Sequence, residues 1–344
     1  MKGDNMNLKD IAREAGVSAV TVSNVINGNH HKVSQETIER VMKIIEEHDY
    51  RPNAMARSLA SKKSRIIAVV IPNLSDDDDF ASSPYYAHML SHLEKYIRSR
   101  GYYMMTRCVG ACGEVVSLFS TWNVDGIVFL GPYDKEEDAI LAKLKVPMVF
   151  VDSYNTRKDI ANVGIDDHKG GYLMGRYLIG LGHREIAFVT PKMEESGVIR
   201  SRYEGFVEAC KEQNVPFTNE NVFIASTFYD EGVRVGKQIP FDKKKFTAVA
   251  AMSDLLAFGV MKGLHLTGVR IPEDISVIGF DGLPECDYAY PQLTSISQNI
   301  VEKANRAGEL LFQMVEDSKD VAANIILDVE LKDGDSVAPM KTGV

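Results

Sequence analysis

The fold of this chain is decided by residues 8–27, LKDIAREAGVSAVTVSNVIN, where two short amphipathic stretches flank a glycine. Gly16 interrupts the helical spacing of the first stretch, and Ser18 is a favourable N-cap for the second. The apolar positions of the two helical faces are Leu8, Ile11, Ala12, Ala15, Val22, Val25 and Ile26. Two short helices joined by a tight turn predict a helix-turn-helix, whose second helix would enter a DNA major groove. An ordinary helical hairpin is the alternative.

The segment that follows favours the helix-turn-helix. Val33 and Ser34 precede a third amphipathic helix, and residues 50–59 read YRPNAMARSL. Three motifs stand in order along the chain: LKDIAREAGVS, TVSNVING and Y-x-P-N-x-x-A-R-x-L. By these motifs the chain resembles the lactose/galactose repressor family of bacterial transcriptional regulators. The long loop at residues 74–86 is similar to that of the maltose-repressor-like branch.

The resemblance implies which residues of the second helix contact operator DNA. Base readout is expected from Ala19, Val20 and Asn24. Phosphate contacts, which fix the register on the duplex, are expected from Ser18, Thr21, Ser23 and Asn27. The asparagine can pair with an adenine edge, whereas the alanine and the valine can offer only apolar contact, for instance to a thymine methyl group.

Residues 51–61 are expected to form a hinge helix over the minor groove. An isolated helix of two turns is marginal in water, so this segment should fold only when two copies meet on DNA. The residues expected at the minor groove are Asn53, Ala56, Arg57 and Leu59. Leu59 is placed to wedge between base pairs. A passive tether is the alternative.

Composition and charge are consistent with a regulator of this kind. The chain has 344 residues and a net charge of −9, but residues 1–65 carry +3 and the remainder −12. A mildly basic head on an acidic body can bind DNA and orient the body away from it. No leader or transmembrane run is visible, so we expect a cytoplasmic protein that does not contact a membrane.

Cysteine and tryptophan usage gives no sign of a metal or cofactor site. The four cysteines, Cys108, Cys112, Cys210 and Cys286, are expected to be buried thiols, not disulfides or ligands. Trp122 is expected in the core. No cofactor and no metal are predicted.

The remaining sequence alternates apolar strands with amphipathic helices, which predicts an α/β fold with two doubly wound parallel lobes after the all-helical head. The resemblance implies lobes of periplasmic-binding-protein type with crossovers between them. The expected domains are the head, the hinge, a first lobe and a second lobe, at residues 1–50, 51–61, 62–165 with 299–324, and 166–298 with 325–344.

Ligands of such sheets meet the carboxyl ends of the strands, where this sequence places Asn73, Asp152, Ser253, Asp254 and Asp281. Carboxylates and a guanidinium can hydrogen-bond sugar hydroxyls, and aromatic rings can stack on a sugar face. The predicted effector-binding residues are Tyr85, Tyr86, Asp152, Arg202, Phe228, Ser253, Asp254 and Asp281. For each of them a surface loop or a helix cap is the alternative, and Ser253 departs from the asparagine frequent in the family.

The sequence therefore predicts a homodimeric repressor that binds a palindromic operator under the control of a small carbohydrate-like effector. A catabolite-control regulator of the same family, responding to a phosphoprotein partner, is the alternative. A solute-binding receptor would not carry residues 1–60. Motifs typical of enzymes are absent: G-x-S-x-G, G-x-x-x-x-G-K-[ST], H-E-x-x-H and G-x-G-x-x-G.

Overall fold

The computed structural model describes residues 6–26, 28–50, 63–72, 80–109, 112–131, 137–154, 160–194, 196–239, 246–317 and 321–340. The chain divides into two compact units, Met1–Ser64 and Arg65–Val344. Some predicted residues lie outside the described part: Asn27, Asn53, Ala56, Arg57, Leu59 and Asn73. Their expected roles stay predictions.

The described residues of the N-terminal unit form three α-helices: α1 (Leu8–Glu14), α2 (Ala19–Ile26) and α3 (Gln35–Glu47). Gly16 has a φ of 65°, which lets the chain turn between α1 and α2. The Ser18 hydroxyl accepts a hydrogen bond from the Thr21 amide at 3.1 Å, so it caps α2 as predicted. The three helices share one small apolar core. The helix-turn-helix prediction is confirmed.

The larger unit contains two lobes, each built on one six-stranded sheet. The helices and strands described in the first lobe are β1 (Ile66–Pro72), α4 (Pro84–Ser99), β2 (Tyr103–Val109), α5 (Cys112–Thr121), β3 (Gly126–Leu130), α6 (Glu137–Lys143), β4 (Met148–Val151), β5 (Ala161–Ile165), α11 (Ile300–Asp317) and β11 (Ala323–Leu327). Its sheet is parallel, with the strand order β11-β5-β4-β3-β1-β2.

The helices and strands described in the second lobe are α7 (Asp167–Gly180), β6 (Ile186–Thr190), α8 (Val198–Glu212), β7 (Val222–Ile224), α9 (Tyr229–Gln238), β8 (Ala248–Ala251), α10 (Asp254–Leu266), β9 (Ser276–Asp281), β10 (Thr294–Gln298) and β12 (Val329–Lys332). Its sheet has the order β12-β10-β9-β8-β6-β7 and is parallel except where β12 pairs antiparallel with β10. Continuous apolar runs form the buried central strands of both sheets, as doubly wound lobes require.

The chain passes between the lobes after β5, after β10 and after β11. The predicted last boundary, between residues 324 and 325, is wrong because it cuts β11, which pairs with β5 along its whole length. The passage occurs at Asp328 instead, between two edge strands. One continuous apolar core includes buried side chains of both lobes, among them Val69 and Val249.

Helices α7 and α8 pack closely because glycines face the neighbouring backbone. A Cβ at Gly171 would lie 1.8 Å from the Arg202 carbonyl oxygen, and a Cβ at Gly205 would lie 1.9 Å from that of His168. Only glycine permits this approach. It sets the Arg202 backbone against the first two turns of α7.

The structure tests the expectations for the cysteines and for Trp122. Cys210 and Cys286 are buried free thiols, while Cys108 is half-buried. The expectation for Trp122 is wrong, because it follows the end of α5 and is 52% exposed. Within the described residues, no helix is long and apolar enough to cross a membrane.

Candidate ligand and DNA sites

The second helix of the N-terminal unit presents polar and small side chains on the face opposite its core. Val22 and Val25 are buried, whereas Val20 is 69% exposed and Asn24 is partly exposed; Ala19 packs in part against the core of the three helices. Ser18 and Thr21 also hydrogen-bond each other through their hydroxyls at 2.9 Å. Ser18, Ala19, Val20 and Thr21 lie at the N-terminal end of α2, where amide groups and the positive pole of the helix favour phosphate, and Ser23 and Asn24 lie one turn further along.

In the larger unit, a cavity of about 350 Å³ lies between the two lobes. It brings together predicted residues from distant parts of the chain, namely Tyr85, Tyr86, Asp152, Arg202, Phe228, Ser253 and Asp281. Asp152 follows β4 and Asp281 ends β9, so the carboxyl ends of strands from both sheets face one cavity. Both aspartates have positive φ values, 60° and 126°, which are uncommon outside glycine and cluster at functional sites.

The first-lobe wall is organised around Asp152. The Tyr85 hydroxyl donates to its Oδ2 at 2.9 Å. Nζ of Lys303 donates to Oδ1 and Oδ2 at 2.8 and 3.1 Å. Sequence reasoning missed Lys303, although a lysine on the otherwise apolar face of α11 was a usable signal. Burial and the neighbouring Asp152 carboxylate raise the pKa of Tyr85 well above its usual value, so this phenol stays protonated.

The second-lobe wall is organised around Arg202, of which only 6% is exposed. Its Nε donates to Oδ1 of Asp167 at 2.6 Å, and Nη1 donates to the Met252 carbonyl at 2.8 Å. Nη1 also lies 4.0 Å from Oδ1 of Asp281, and the guanidinium carbon sits 3.6 Å from the Phe280 ring centroid. These partners hold the guanidinium plane in one orientation.

Asp167 supports this wall from α7 and was also missed. It follows the N-cap Asp166, so the sequence pattern suggested only a first-turn helix residue. In the structure it is buried and also accepts a hydrogen bond from the Tyr154 hydroxyl.

The surroundings of Asp281 raise its pKa. Its burial raises the pKa from 3.8 to about 7, and the nearby Asp254 carboxylate adds to the rise. Arg202 and the Gln298 amide, which donates to Oδ1 at 2.7 Å, oppose it. Depending on pH, Asp281 therefore offers the cavity either a carboxylate, which only accepts hydrogen bonds, or a protonated carboxyl group, which can also donate one.

The prediction that Asp254 contacts the effector is wrong, because this residue does not line the cavity. Its carboxylate is fully buried behind it and accepts hydrogen bonds from the Ser295 hydroxyl at 2.6 Å, the Leu283 amide at 2.8 Å and the Cys286 thiol at 3.1 Å. The strand-end pattern placed Asp254 correctly at the start of α10, but the side chain turns into the second lobe. Ser253 does line the cavity and also caps α10 through the Leu256 amide at 3.3 Å.

Comparisons with known proteins agree with both units. Residues 7–53 match the bacterial regulatory proteins of the lacI family, and residues 176–337 match the periplasmic binding protein-like domain. The chain is 32% identical to the transcriptional repressor PurR of Vibrio vulnificus (strain CMCP6), over 91% of this chain and 92% of that protein. It is also 32% identical to the catabolite control protein A of Priestia megaterium (89% and 92%) and to the transcriptional regulator MalR of Clostridium butyricum (96% and 99%).

Solved structures agree with the fold of both units. The lac repressor dimer bound to operator and an anti-inducer is similar with a TM-score of 0.83 and 25% identity, covering 97% of this chain and 100% of that one. The transcriptional regulator CelR in complex with cellobiose gives a TM-score of 0.71 and 25% identity, covering 96% and 99%.

Proposed function

The chain belongs to the lacI family of bacterial regulatory proteins and is a DNA-binding transcriptional regulator, and we propose that a small carbohydrate-like effector in the cavity between its lobes controls its operator binding. The observation that carries this proposal is the cavity wall. It combines carboxylates from both lobes, a fixed guanidinium and aromatic rings, in a chain whose other unit is a helix-turn-helix.

The side chains around the cavity suit a polyhydroxylated ligand. Asp152 and Asp281 offer carboxylate oxygens that can accept hydrogen bonds from hydroxyl groups. Tyr86 and Phe228 offer ring faces, and the apolar C–H face of a sugar can pack against such rings. A structural relative supports the same ligand class, since the transcriptional regulator CelR was solved in complex with cellobiose. An effector of glucose units is the form that we favour.

A saccharide screen tests this proposal. Mono- and disaccharides are added to the purified full chain, and the thermal midpoint is measured; a saccharide that raises it is then added to an operator-binding titration. Phe228→Ala should weaken the response because it removes a ring from the cavity. Phe223→Ala removes a ring from the same lobe that packs on Phe246 outside the cavity, and should leave the response intact. If no saccharide changes either signal, the proposed effector class is wrong.

For operator recognition we propose base readout by Ala19, Val20 and Asn24, with phosphate contacts from Ser18, Thr21, Ser23 and Asn27. The exposure of Ser18 and Val20 and the partial exposure of Thr21, Ser23 and Asn24 support this assignment, while Ala19 packs in part against the core. Asn24→Ala should relax the preference at one base pair, by roughly 1–3 kcal/mol of discrimination. A binding-site selection that returns the wild-type preference at every position contradicts the assignment.

A homodimer on a palindromic operator is also part of the proposal, because one head offers few contacts for specific binding. The second lobe carries large exposed side chains that suit an interface between two copies: Tyr288 is 80% and Tyr290 100% exposed, and Leu266 is 53% exposed. Sedimentation at micromolar concentration tests it, and a monomer with and without DNA contradicts it.

The roles proposed for the hinge, residues 51–61, are tested by Leu59→Ala, which should lower operator affinity and bending together.

The second candidate function is a catabolite-control regulator that answers to a phosphoprotein. The similarity to catabolite control protein A favours it. The two candidates differ in what changes operator affinity: a saccharide alone should change it for the first candidate, and the phosphoprotein should change it for the second. Operator titrations with the saccharide alone, and with the phosphoprotein partner alone, separate them.

A further inference from the structure

Lys303 is a lysine with none of its surface exposed, on a helix face that is otherwise apolar. A buried ammonium group is costly unless it is paired and hydrogen-bonded. Besides Asp152, its Nζ donates to Oε1 of Gln298 and to the Tyr85 hydroxyl, the latter at 3.4 Å. Lys303 does not line the cavity, but these three partners all do. It therefore lies directly behind the wall that a ligand would touch.

Lys303 fixes the direction of the hydrogen bonds between residues that line the cavity. An ammonium group can only donate, so the oxygen of the Gln298 amide faces Lys303. The amide nitrogen is thereby turned toward Asp281, to which it donates at 2.7 Å. Asp152 belongs to the first lobe and Asp281 to the second. One buried cation thus orients carboxylates on both sides of the cavity.

The charges of the described residues around the cavity disfavour an anionic ligand. Among the described residues at or directly behind its wall, Arg202 and Lys303 are already ion-paired, with Asp167 and Asp152 at 2.6 and 2.8 Å. A phosphate group placed here would find both of these cations already compensated by Asp167 and Asp152 and would itself stay unpaired.

We propose that Lys303 is a positioning residue of the ligand site. It holds Asp152 directly, and Asp281 through Gln298, as hydrogen-bond acceptors on opposite lobes. The site therefore takes an uncharged ligand with hydroxyl donors toward both lobes and excludes its phosphorylated form. The inference rests on the proposed function and names the chemical class of the effector. A ligand that donates to both carboxylates also links the two lobes, which gives it a differential affinity for one arrangement of them.

The test compares neutral and phosphorylated probes on full-length variants. Glucose, ribose, maltose, cellobiose, glucose 6-phosphate and ribose 5-phosphate are titrated by calorimetry and thermal shift. At least one neutral sugar should bind the wild type, and neither phosphate should. Lys303→Met removes the charge and the donor and should lower the affinity for that sugar on the order of tenfold or more. Lys303→Gln keeps a donor, should lower it less, and serves if the methionine variant does not fold.

Leu311→Ala is the matched control, because Leu311 is buried on the same helix and does not line the cavity. It should lower the thermal midpoint while the sugar affinity stays at the wild-type value, which separates positioning from general destabilisation. A lysine variant that binds the sugar like Leu311→Ala overturns the positioning role. Tighter binding of a phosphorylated sugar overturns the ligand class but leaves a sugar effector in place. If none of the probes binds the wild type, the proposed function itself fails and this inference with it.

Discussion

The buried pair of Arg202 and Asp167 should be one of the strongest side-chain couplings in the molecule. Their side chains are only 7% and 1% exposed, and Nε lies 2.6 Å from Oδ1. Removing one partner of such a pair leaves an uncompensated buried charge, which costs about 3–5 kcal/mol of unfolding free energy. Arg202→Met should lose this amount, and the loss should include the contact with Asp281.

Removing both charges should cost less than the sum of the two single changes. In Arg202→Met/Asp167→Asn neither ion remains, so the coupling free energy should be about 2 kcal/mol or more. Urea unfolding followed by circular dichroism measures all four proteins of the cycle. The control cycle is Arg200→Met with Glu204→Gln, a pair on the same helix at 2.7 Å whose side chains are 40% and 51% exposed. That surface pair should couple by less than about 1 kcal/mol.

The reasoning is refuted if the Arg202–Asp167 coupling does not exceed the Arg200–Glu204 coupling. The same variants also separate stability from ligand response. Arg202 lines the cavity, so Arg202→Met should lose the saccharide response even where the body is folded. Arg200→Met should keep it.

Two further predictions concern pH and helix packing. The folded pKa of Asp281, about 7 against 3.8, means that folding favours its protonated form; this stabilising contribution is complete below about pH 4 and is lost as the pH rises through about 7. The thermal midpoint of the wild type relative to Asp281→Asn should therefore fall between about pH 4 and about pH 7 and level off above that, and a constant difference contradicts the assignment. Gly171→Ala should force α7 and α8 apart by roughly 1.5 Å, since C···O contacts need about 3.3 Å, and should cost about 1–3 kcal/mol. Gly180→Ala is its control on the same helix, because a Cβ there meets nothing within 4 Å; equal midpoints of the two variants would contradict the packing argument.

The sequence was informative where local pattern decides structure. The spacing of apolar residues around Gly16 predicted the helix-turn-helix, and the apolar runs predicted buried parallel strands that the structure confirms. Strand-end positions also identified Asp152 and Asp281 as candidates, because ligands of such sheets meet the carboxyl ends of strands, and the structure turns these ends of both sheets toward one cavity.

Side-chain direction and long-range pairing were beyond such patterns. Asp254 occupies the same kind of strand end as Asp281, but the Ser295 hydroxyl from a strand 41 residues away turns it into the core. Lys303 reaches Asp152 across 151 residues of chain, a pairing that periodicity does not encode. Asp328 separates two strands that belong to different sheets, a division that the short run IILDVEL does not reveal.

The passage at Asp328 has a consequence for how the body comes apart. Strands β11 and β12 are consecutive in the chain, yet each forms the outer edge of a different sheet. Loss of pairing in one lobe therefore pulls directly on the edge of the other, and the apolar core that both lobes share adds to this linkage. The two lobes should consequently denature as a single cooperative body, with one heat-absorption peak and equal calorimetric and van't Hoff enthalpies, although each lobe has a complete sheet of its own.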